Sequence, residues 1–191
     1  MKKELGKVNA LYPIPTVIIG TEADGRPTFI TIAHVGIIDL NTISVCSGKK
    51  HYSNQWIKKN GTLSVNLPSQ DMLEKTDLAG SVSGWNEDKS GLFEVEKGSL
   101  PGAPLIVDAP VCMECRVIDV YDRPFHDVFI CSVENTWVKE EVLTDGRIDY
   151  AKVQPVFYDM PGFGYWGLGD RTGTAHRLKE KITAFRQKNK D

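Results

Sequence analysis

The stretch that decides the fold is TVIIGTEADGRPTFITIAHVGII, Thr16 to Ile38. It begins with a run rich in β-branched residues, Thr16 to Glu22, which the turn residues Ala23 to Pro27 close. A second β-type run, Thr28 to Ile38, follows at once. Two such runs joined by a short turn predict an antiparallel hairpin.

Four later segments also predict strands. TISVCS and TLSVNLP alternate in polarity, which predicts half-buried strands, and VCMECRVIDVYD and DVFICSVENTWVKEEVL are long enough for two extended ones. No alternation of strands with helices occurs. At least six strands joined mostly by short turns favour a mainly β, antiparallel barrel of Greek-key type over a parallel sheet.

Helices are expected at only a few places. HYSNQWIKKNG, 51–61, has apolar residues at helical spacing and ends in a glycine stop, and a short helix after Ser69 can be capped by that hydroxyl. A tail helix is predicted at about 174–188. Its narrow apolar stripe, expected to dock on the body or on a second subunit, consists of Leu178, Ile182 and Phe185.

Between the strands lies one long excursion rich in Gly, Pro and charge, 80–110. Loops of this length tend to be functional or disordered, and Trp85, Leu92 and Phe93 favour an ordered one. We expect a single domain over 1–191, with the tail helix as an appendage.

The totals exclude several classes of protein. The chain has 191 residues, 23 basic and 25 acidic, so it lacks the positive field that nucleic acid binding requires. The N-terminal MKKELGKVNALYPIP has no apolar leader region, and no run of about 18 apolar residues could cross a membrane. A cytoplasmic protein is the expectation.

The cysteines and histidines do not predict a metal site. Cys112 and Cys115 are three apart on a predicted strand, so they should point to opposite faces and share neither a metal nor a disulfide. The histidines are scattered without paired helical spacing, at His34, His51, His126 and His176.

One segment of the sequence is a candidate for ligand binding. No G-x-S-x-G nucleophile motif, Walker A loop or dinucleotide fingerprint occurs, and PGFGYWGLG stands too late in the chain to serve as one. The basic loop 47–53 lies between a strand and a helix start. Lys49, Lys50 and the Ser53 hydroxyl could hold a phosphate there with the helix N-terminus, although a solvated turn is the alternative.

Several motifs in a fixed order resemble those of one known family. They are YPIP, the hairpin stretch, the loop 47–57, VNLPS, SGWNEDKSG and PGFGYWGLG. From about Leu5 to about Gly173 the chain resembles the flavoredoxin branch of the flavin reductase family. The resemblance implies an FMN-binding split β-barrel, a homodimer, and electron transfer through the flavin.

The resemblance also implies a set of flavin contacts. The second strand would lie along the ribityl chain and ring, the loop 47–53 would hold the phosphate, and further contacts would come from the excursion and the late strands. The implied residues are Thr28, Thr31, Ile32, Ala33, His34, Ser47, Gly48, Lys49, Lys50, Ser53, Lys89, His126, Phe157 and Tyr158, with Asn66, Ser83 and Gly84 in support and Trp166 closing the pocket.

Three positions depart from the family pattern. Asn is frequent where Thr28 stands, Trp where His34 stands, and arginine can occur at Gly48. Ring stacking and ribityl hydrogen bonding are therefore expected to differ. Cations near the ring, such as Lys89 or protonated His126, would favour the anionic reduced flavin and raise its potential.

The leading hypothesis is a flavoprotein that takes electrons from NAD(P)H or a redox protein and passes them to a flavin, ferric or protein acceptor. A competing form of this hypothesis is a protein that only carries electrons and does not turn over NAD(P)H as a reductase. The alternatives are a non-catalytic flavin or tetrapyrrole binder on the same barrel, and a flavin-free interaction module that uses the basic loop and Trp56. Taken one at a time, these residues also have structural explanations as loop charges or apolar anchors.

Overall fold

The computed structural model describes residues 1–175 together with Thr183 and Gln187. The stripe predicted on the tail helix, Leu178, Ile182 and Phe185, lies outside the described residues, as does His176. The tail helix and its docking remain predictions.

The described part of the chain is built mainly from β-strands. Its helices are α1 (Tyr52–Asn60), α2 (Leu73–Ser81) and α3 (Tyr150–Val153), with 3-10 turns at Gln70–Met72 and Glu140–Val142. The strands are β1 (Ile14–Pro15), β2 (Val17–Ala23), β3 (Arg26–Ile32), β4 (Val35–Ile37), β5 (Thr42–Gly48), β6 (Thr62–Leu67), β7 (Val95–Glu96), β8 (Leu105–Ile106), β9 (Val111–Asp122), β10 (His126–Val138), β11 (Leu143–Thr144), β12 (Arg147–Ile148), β13 (Val156–Asp159) and β14 (Gly164–Gly167).

Seven strands form one antiparallel sheet in the order β3-β2-β6-β9-β10-β5-β4. Its two edge strands, β3 and β4, are consecutive in the chain and are joined only by Ala33 and His34. The sheet must therefore curl until its edges approach each other. This curled antiparallel barrel confirms the predicted fold class.

The predicted hairpin forms, but its second strand is shorter than expected. Asp24 and Gly25 make the two-residue turn with φ of 48° and 77°, the left-handed values that a primed hairpin turn requires. The run predicted from Thr28 to Ile38 is interrupted at Ala33 and His34, where the chain turns a corner into β4. The break is needed because β4 pairs with β5 at the other edge of the sheet.

The core lies on both faces of the sheet, which corrects the expectation of a half-buried TLSVNLP strand. Leu63 and Val65 of β6 point into the barrel interior. On the other face, Ser64 and Asn66 are fully buried and bonded to main chain: Ser64 Oγ donates to Pro104 O at 2.5 Å, and Asn66 Oδ1 accepts from Ile106 N at 3.0 Å. Polar residues on this face hold the excursion onto the sheet.

The excursion 80–110 is ordered, as predicted, and covers the outer face of the sheet. Its apolar side chains pack with those of β2, β3 and α2 in a second core cluster, which contains Ile18, Phe29, Met72, Ala79, Phe93, Leu105, Ile106, Ala109 and Cys112. Cys115 belongs instead to the barrel interior. The two cysteines thus lie on opposite sides of β9, as the spacing predicted.

Helix α1 follows its sequence signals, whereas the start of α2 does not. Gly61 ends α1 with a φ of 67° and donates its N–H to Ile57 O at 2.9 Å. Ser69 precedes the 3-10 turn that leads into α2, but its side chain makes no capping hydrogen bond, so that prediction was wrong.

A small separate ribbon completes the site region. Strands β1, β13 and β14 form a three-stranded sheet, in which Tyr158 pairs with Tyr165 and Phe157 with Trp166. Partners directly opposite in an antiparallel ladder share a face, so the two tyrosines lie on one side. In the described part of the chain, no helix combines the length and apolar character that a membrane crossing would need.

Candidate functional site

A groove runs along β3 between the N-terminus of α1 and the C-terminus of α2. It consists of three neighbouring cavities of about 270, 110 and 240 Å³, here called the first, middle and third cavities. The first and middle cavities share His51, and the middle and third share Tyr52 and Lys89. Shared walls make them one elongated site, in the size range of small-molecule sites.

The first cavity lies at the corner where the barrel edges meet. Its walls come from the end of β3, from β5, from the start of β10 and from the tyrosine ribbon. The residues that line it are Thr16, Thr31, Ile32, Ala33, His34, Cys46, Gly48, His51, Asp77, Gly80, Ser81, His126, Tyr158, Met160 and Tyr165. This mixture of apolar wall and a few polar groups suits a flat heterocycle.

One polar atom of the first cavity lacks a partner. The Oγ1 of Thr16 is buried and makes no hydrogen bond with any described residue. Burying a hydroxyl without a partner costs about 1–3 kcal/mol. Trp56 Nε1 and Asp127 Oδ1 are unpartnered in the same way but lie outside the groove, so Thr16 is notable for its place in the wall of the first cavity.

The middle cavity is cationic and lies at the start of α1. Lys50, His51, Tyr52 and Ser53 line it from one side, and the loop after α2 lines it from the other with Ser83, Gly84 and Lys89. The His51 side chain at the N-cap makes no capping hydrogen bond, which leaves the first-turn N–H groups of α1 without that partner. These donors and cations form a place for an anion.

Lys89 is the most unusual cation of the groove. It is only 7% exposed, and its Nζ donates to Ala79 O and Val82 O, both at 3.0 Å, at the end of α2. Burial lowers the pKa of Lys89 to about 8. An ammonium has three N–H donors, so one remains for a ligand. Among the described residues, Lys89 makes no ion pair with a carboxylate.

The third cavity is less suited to an anion, although Thr28 and Lys89 reach it. Asp24, Glu87 and Asp88 line this cavity, and Asp88 already pairs with Arg26 at 2.6 Å. The carboxylates would repel a phosphate, so the middle cavity is the favoured anion site.

A hydrogen-bond network fixes the ring of His51. Ser47 Oγ donates to Asn54 Oδ1 at 2.7 Å and lies 2.9 Å from His51 Nδ1. Because the serine proton is already used, Nδ1 must carry the imidazole proton and donate it to Ser47. Burial, and then the charges of His126 and Lys89, lower the pKa of His51, which favours this neutral form.

The same network extends to a buried carboxylate. Asn54 Nδ2 donates to Asp127 Oδ2 at 3.0 Å, and Lys58 Nζ lies 2.8 Å from the same oxygen. Burial alone would raise the pKa of Asp127, but Lys58 and Asn54 together lower it. The carboxylate therefore stays ionised and holds the amide that positions Ser47.

The structure gathers most of the predicted residues along the groove. Thr31, Ile32, Ala33, His34, Gly48, His126 and Tyr158 line the first cavity, Lys50, Ser53, Ser83, Gly84 and Lys89 the middle one, and Thr28 the third. Lys89 lines both the middle and the third cavities but not the first.

Five predicted residues do not line the groove. Ser47 lies behind His51, Lys49 pairs with Asp122, and Asn66 anchors the excursion on the outer face of the sheet. Phe157 and Trp166 share the face of the ribbon opposite Tyr158. Side-chain alternation along the strands places Ser47, Asn66, Phe157 and Trp166 on other faces, whereas Lys49 lies in the turn after β5 and points to Asp122.

Sequence reasoning missed several residues of the first cavity. Thr16, Cys46, His51 and Tyr165 line it but were not selected. Tyr165 donates its hydroxyl proton to Asp77 at 2.9 Å, which ties the ribbon to α2. The pKa of Tyr165 is raised, first by burial and then by that carboxylate. Side-chain alternation along β5 and β14 could have indicated Cys46 and Tyr165. It was not sufficient, because the sequence does not show which face of each strand bounds a cavity.

Comparison with known proteins identifies the family. A sequence model described as the flavin reductase like domain matches residues 9–160, most of the chain. The chain belongs to the flavin reductase like family.

Two flavoredoxin structures are similar to this family member over nearly their whole length. The flavoredoxin of Methanosarcina acetivorans is 33% identical with a TM-score of 0.91, covering 95% of this chain and 99% of that one. The flavoredoxin of Desulfovibrio vulgaris (Miyazaki F) is 30% identical with a TM-score of 0.85, covering 93% and 98%. The predicted resemblance to flavoredoxins and the split-barrel fold are confirmed.

A curated relative adds a link to flavin reduction. The FMN reductase (NADH) RutF of Agrobacterium fabrum is 28% identical over 113 residues, which is 58% of this chain and 63% of that protein. The chain spans less than two thirds of the length of two curated relatives that it matches: 58% of a protein of Aeropyrum pernix and 63% of this RutF. Membership of the flavin reductase like family supports a flavin-binding function.

Proposed function

We propose that this protein is an FMN-binding flavoprotein of the flavoredoxin type, which moves electrons from a reduced donor to an acceptor. The observation that carries the proposal is the joining of two sites in one groove. A first cavity with an unpartnered Thr16 hydroxyl adjoins a middle cavity with the α1 N-terminus, Lys50, Ser53 and Lys89. A ligand made of a flat heterocycle linked to a phosphate needs one cavity of each kind, a partly apolar one for the ring and a cationic one for the phosphate.

The residues present fit FMN in chemistry. Ile32 and Ala33 offer an apolar wall for the ring, with the Thr16 hydroxyl beside it. Lys50, Ser53 and Lys89 offer two cations and a hydroxyl for a phosphomonoester, which carries close to two negative charges at neutral pH. Bound FMN would supply the redox chemistry, since its ring accepts electrons from one partner and releases them to another.

The chain's own groups position the ligand and set its electrostatic surroundings. The Ser47 network holds the proton of His51 at Nδ1 and leaves Nε2 as an acceptor. Trp85 Nε1 donates to Lys50 O at 3.0 Å, and its ring packs edge-on against Tyr52 at 5.1 Å. These contacts tie the excursion to the α1 N-terminus beside the middle cavity.

The reductase hypothesis predicts turnover with a nicotinamide donor. We expect the FMN-loaded chain to oxidise NADH or NADPH under anaerobic conditions, and added free flavin or ferric acceptor to sustain the oxidation. Reduction of the bound flavin by dithionite but not by either nucleotide would favour carriage from a redox protein. A bound flavin that no donor reduces would contradict both forms of electron transfer and favour the non-catalytic alternative.

A dimer is part of the same proposal and rests on the family resemblance. The measurement is the molar mass of the full chain by light scattering. Twice the mass of one chain is expected, and a monomeric mass would contradict it.

The lowered pKa of Lys89 predicts a pH dependence of FMN binding. The free chain loses the Lys89 proton as the pH rises through about 8, whereas the phosphate keeps its charge. The dissociation constant of FMN is therefore expected to rise above pH 8, by up to about tenfold per pH unit. Fluorescence titration from pH 7 to 9.5 measures it.

Two comparisons isolate the ammonium in that titration. Lys89→Arg keeps a positive charge throughout the range, so its FMN affinity should depend less on pH than that of the parent chain. Riboflavin lacks the phosphate, so its binding should not follow the same curve. A parent titration that is flat in pH, or matched by riboflavin, would show that Lys89 does not contact the phosphate.

A further inference from the structure

Three potential metal ligands that are far apart in sequence meet in the first cavity. His34 stands at the corner between β3 and β4, Cys46 on β5, and His126 at the start of β10. One ligand atom from each lies within 4.8 Å of the other two. Local sequence spacing predicted no metal site, because the three residues are far apart in the chain.

The strand pairing explains why these residues meet. Strand β10 runs antiparallel to β5, pairing His126 with Gly48 and Val128 with Cys46. The main chain of Cys46 donates to His34 O at 2.8 Å, which fixes the corner beside β5. The cluster is therefore held by the backbone of the barrel rather than by a loose loop.

The separation of the three atoms suits a small metal ion. Zinc binds nitrogen at about 2.0–2.1 Å and sulfur at about 2.3 Å, so ligands in a tetrahedral site lie roughly 3.5 Å apart. The three atoms lie within 4.8 Å of one another, so the site must contract by up to about 1.3 Å to reach that spacing. Small side-chain rotations of partly exposed residues can close that gap.

The donor set selects the class of metal. Two imidazoles and one thiolate suit borderline transition metals such as Zn²⁺ or Co²⁺, whereas Mg²⁺ and Ca²⁺ prefer oxygen ligands. Burial, and then the nearby His126, lower the pKa of His34, which keeps its ring neutral and able to ligate. Burial raises the pKa of the Cys46 thiol, so a metal would have to displace that proton into solvent.

A second contact orients one of the histidines. The Tyr12 hydroxyl lies 2.8 Å from His34 Nε2, and their rings are 6.2 Å apart. Metal-bound histidines generally have a hydrogen-bond partner on the ring nitrogen that does not bind the metal. Tyr12 meets that requirement if Nδ1 of His34 takes the ion.

We propose that His34, Cys46 and His126 form a three-ligand site for a divalent transition metal of the Zn²⁺ type, with the fourth position open to the first cavity. Metal binding forms two N–metal bonds and one S–metal bond in place of metal–water bonds of the hydrated ion, and the displaced water and one proton from Cys46 Sγ leave for the solvent. The three ligands line the cavity proposed for the flavin ring, so the metal would bind the flavin-free chain and FMN should compete with it. The metal site needs no bound FMN, so its test is separate from that of the proposed function.

The test is a Co²⁺ titration of the full chain freed of bound flavin, followed by visible absorption. We expect the intense bands of tetrahedral Co²⁺ and a sulfur-to-cobalt charge-transfer band. Cys46→Ser should abolish the charge-transfer band, and His126→Gln should weaken binding by about tenfold or more. Tyr12→Phe, which removes only the orienting hydroxyl, is expected to weaken binding by about tenfold.

The matched control is Cys112→Ser, since Cys112 lies in the core on the outer face of the sheet and outside the cluster. It should leave the cobalt spectrum unchanged. A weak octahedral spectrum, or one that survives Cys46→Ser, would mean adventitious surface binding and would overturn the proposal. In the same variants, Zn²⁺ should raise the melting temperature of the parent chain but not that of Cys46→Ser, and circular dichroism verifies that each variant is folded.

Discussion

Replacing both Lys50 and Ser53 by alanine is expected to weaken FMN binding by about a hundredfold or more, while riboflavin binding changes little. Both residues line the middle cavity beside the α1 N-terminus. A hydrogen bond to a charged group contributes about 1.5–3 kcal/mol, and the variant removes two groups of this kind. Riboflavin has the same ring without the phosphate, so the ratio of the two affinities isolates the phosphate contacts.

The adjacent lysine provides the matched control for this experiment. Lys49 carries the same charge, but its ammonium pairs with Asp122 and does not line the groove. Lys49→Ala should therefore leave the FMN to riboflavin affinity ratio close to that of the parent chain. If Lys49→Ala lowers the ratio as much as the double replacement of Lys50 and Ser53, the effect comes from general charge, and the phosphate does not lie in the middle cavity.

The second large effect is on stability and concerns Glu114 of β9. Its carboxylate is fully buried and accepts hydrogen bonds from Leu100 N at 2.6 Å, Trp137 Nε1 at 2.8 Å, Ser99 Oγ at 3.0 Å and Asn135 Nδ2 at 3.3 Å. Glu114→Ala leaves the buried Leu100 N–H without a partner, at about 1–3 kcal/mol, and removes three partly buried hydrogen bonds to a charged group. We expect a loss of about 4 kcal/mol in the free energy of unfolding, measured by urea denaturation.

Two variants test the origin of that loss. Glu114→Gln keeps the shape but replaces one acceptor oxygen by an N–H₂ group, so it should cost a substantial part of the same energy. Glu141→Ala removes an exposed carboxylate and should stay within about 0.5 kcal/mol of the parent chain. If Glu114→Ala is no more costly than Glu141→Ala, the carboxylate does not hold the excursion to the sheet.

The pH dependence of this effect has a defined sign. Burial alone would raise the pKa of Glu114, but hydrogen bonds from Trp137, Leu100 and Ser99 together lower it. The stabilisation is therefore present above the unfolded pKa of about 4.3 and is lost as the pH falls through the lower folded value. The stability difference between the parent chain and Glu114→Gln should shrink below about pH 4.

Local patterns predicted most of the fold. Alternating strands, the Asp24-Gly25 turn and the Gly61 stop are properties of a few adjacent residues, and all appear where expected. The corner at His34 was missed because Thr28 to Ile38 is continuously β-forming, and only closure of the sheet breaks it. The buried polar face of β6 was missed because its residues Ser64 and Asn66 form hydrogen bonds with the main chain of the excursion, which is distant in sequence.

The candidate site was predictable in its position along the chain but not in its detailed lining. The loop 47–53 carries a local anion-binding signal, and the middle cavity contains Lys50 and Ser53 from it. The unpartnered Thr16 hydroxyl and the cluster of His34, Cys46 and His126 depend on strands that pair across long sequence distances. No spacing rule within one segment could have brought them together.

The most direct test of the account is the visible absorption spectrum of the purified full chain after mixing with FMN and desalting. The account predicts that the chain retains an oxidised-flavin spectrum, with bound FMN equimolar to protein. A colourless protein, folded by circular dichroism, would contradict it. In that case the groove along β3 does not bind FMN, and the cationic middle cavity serves a different anion.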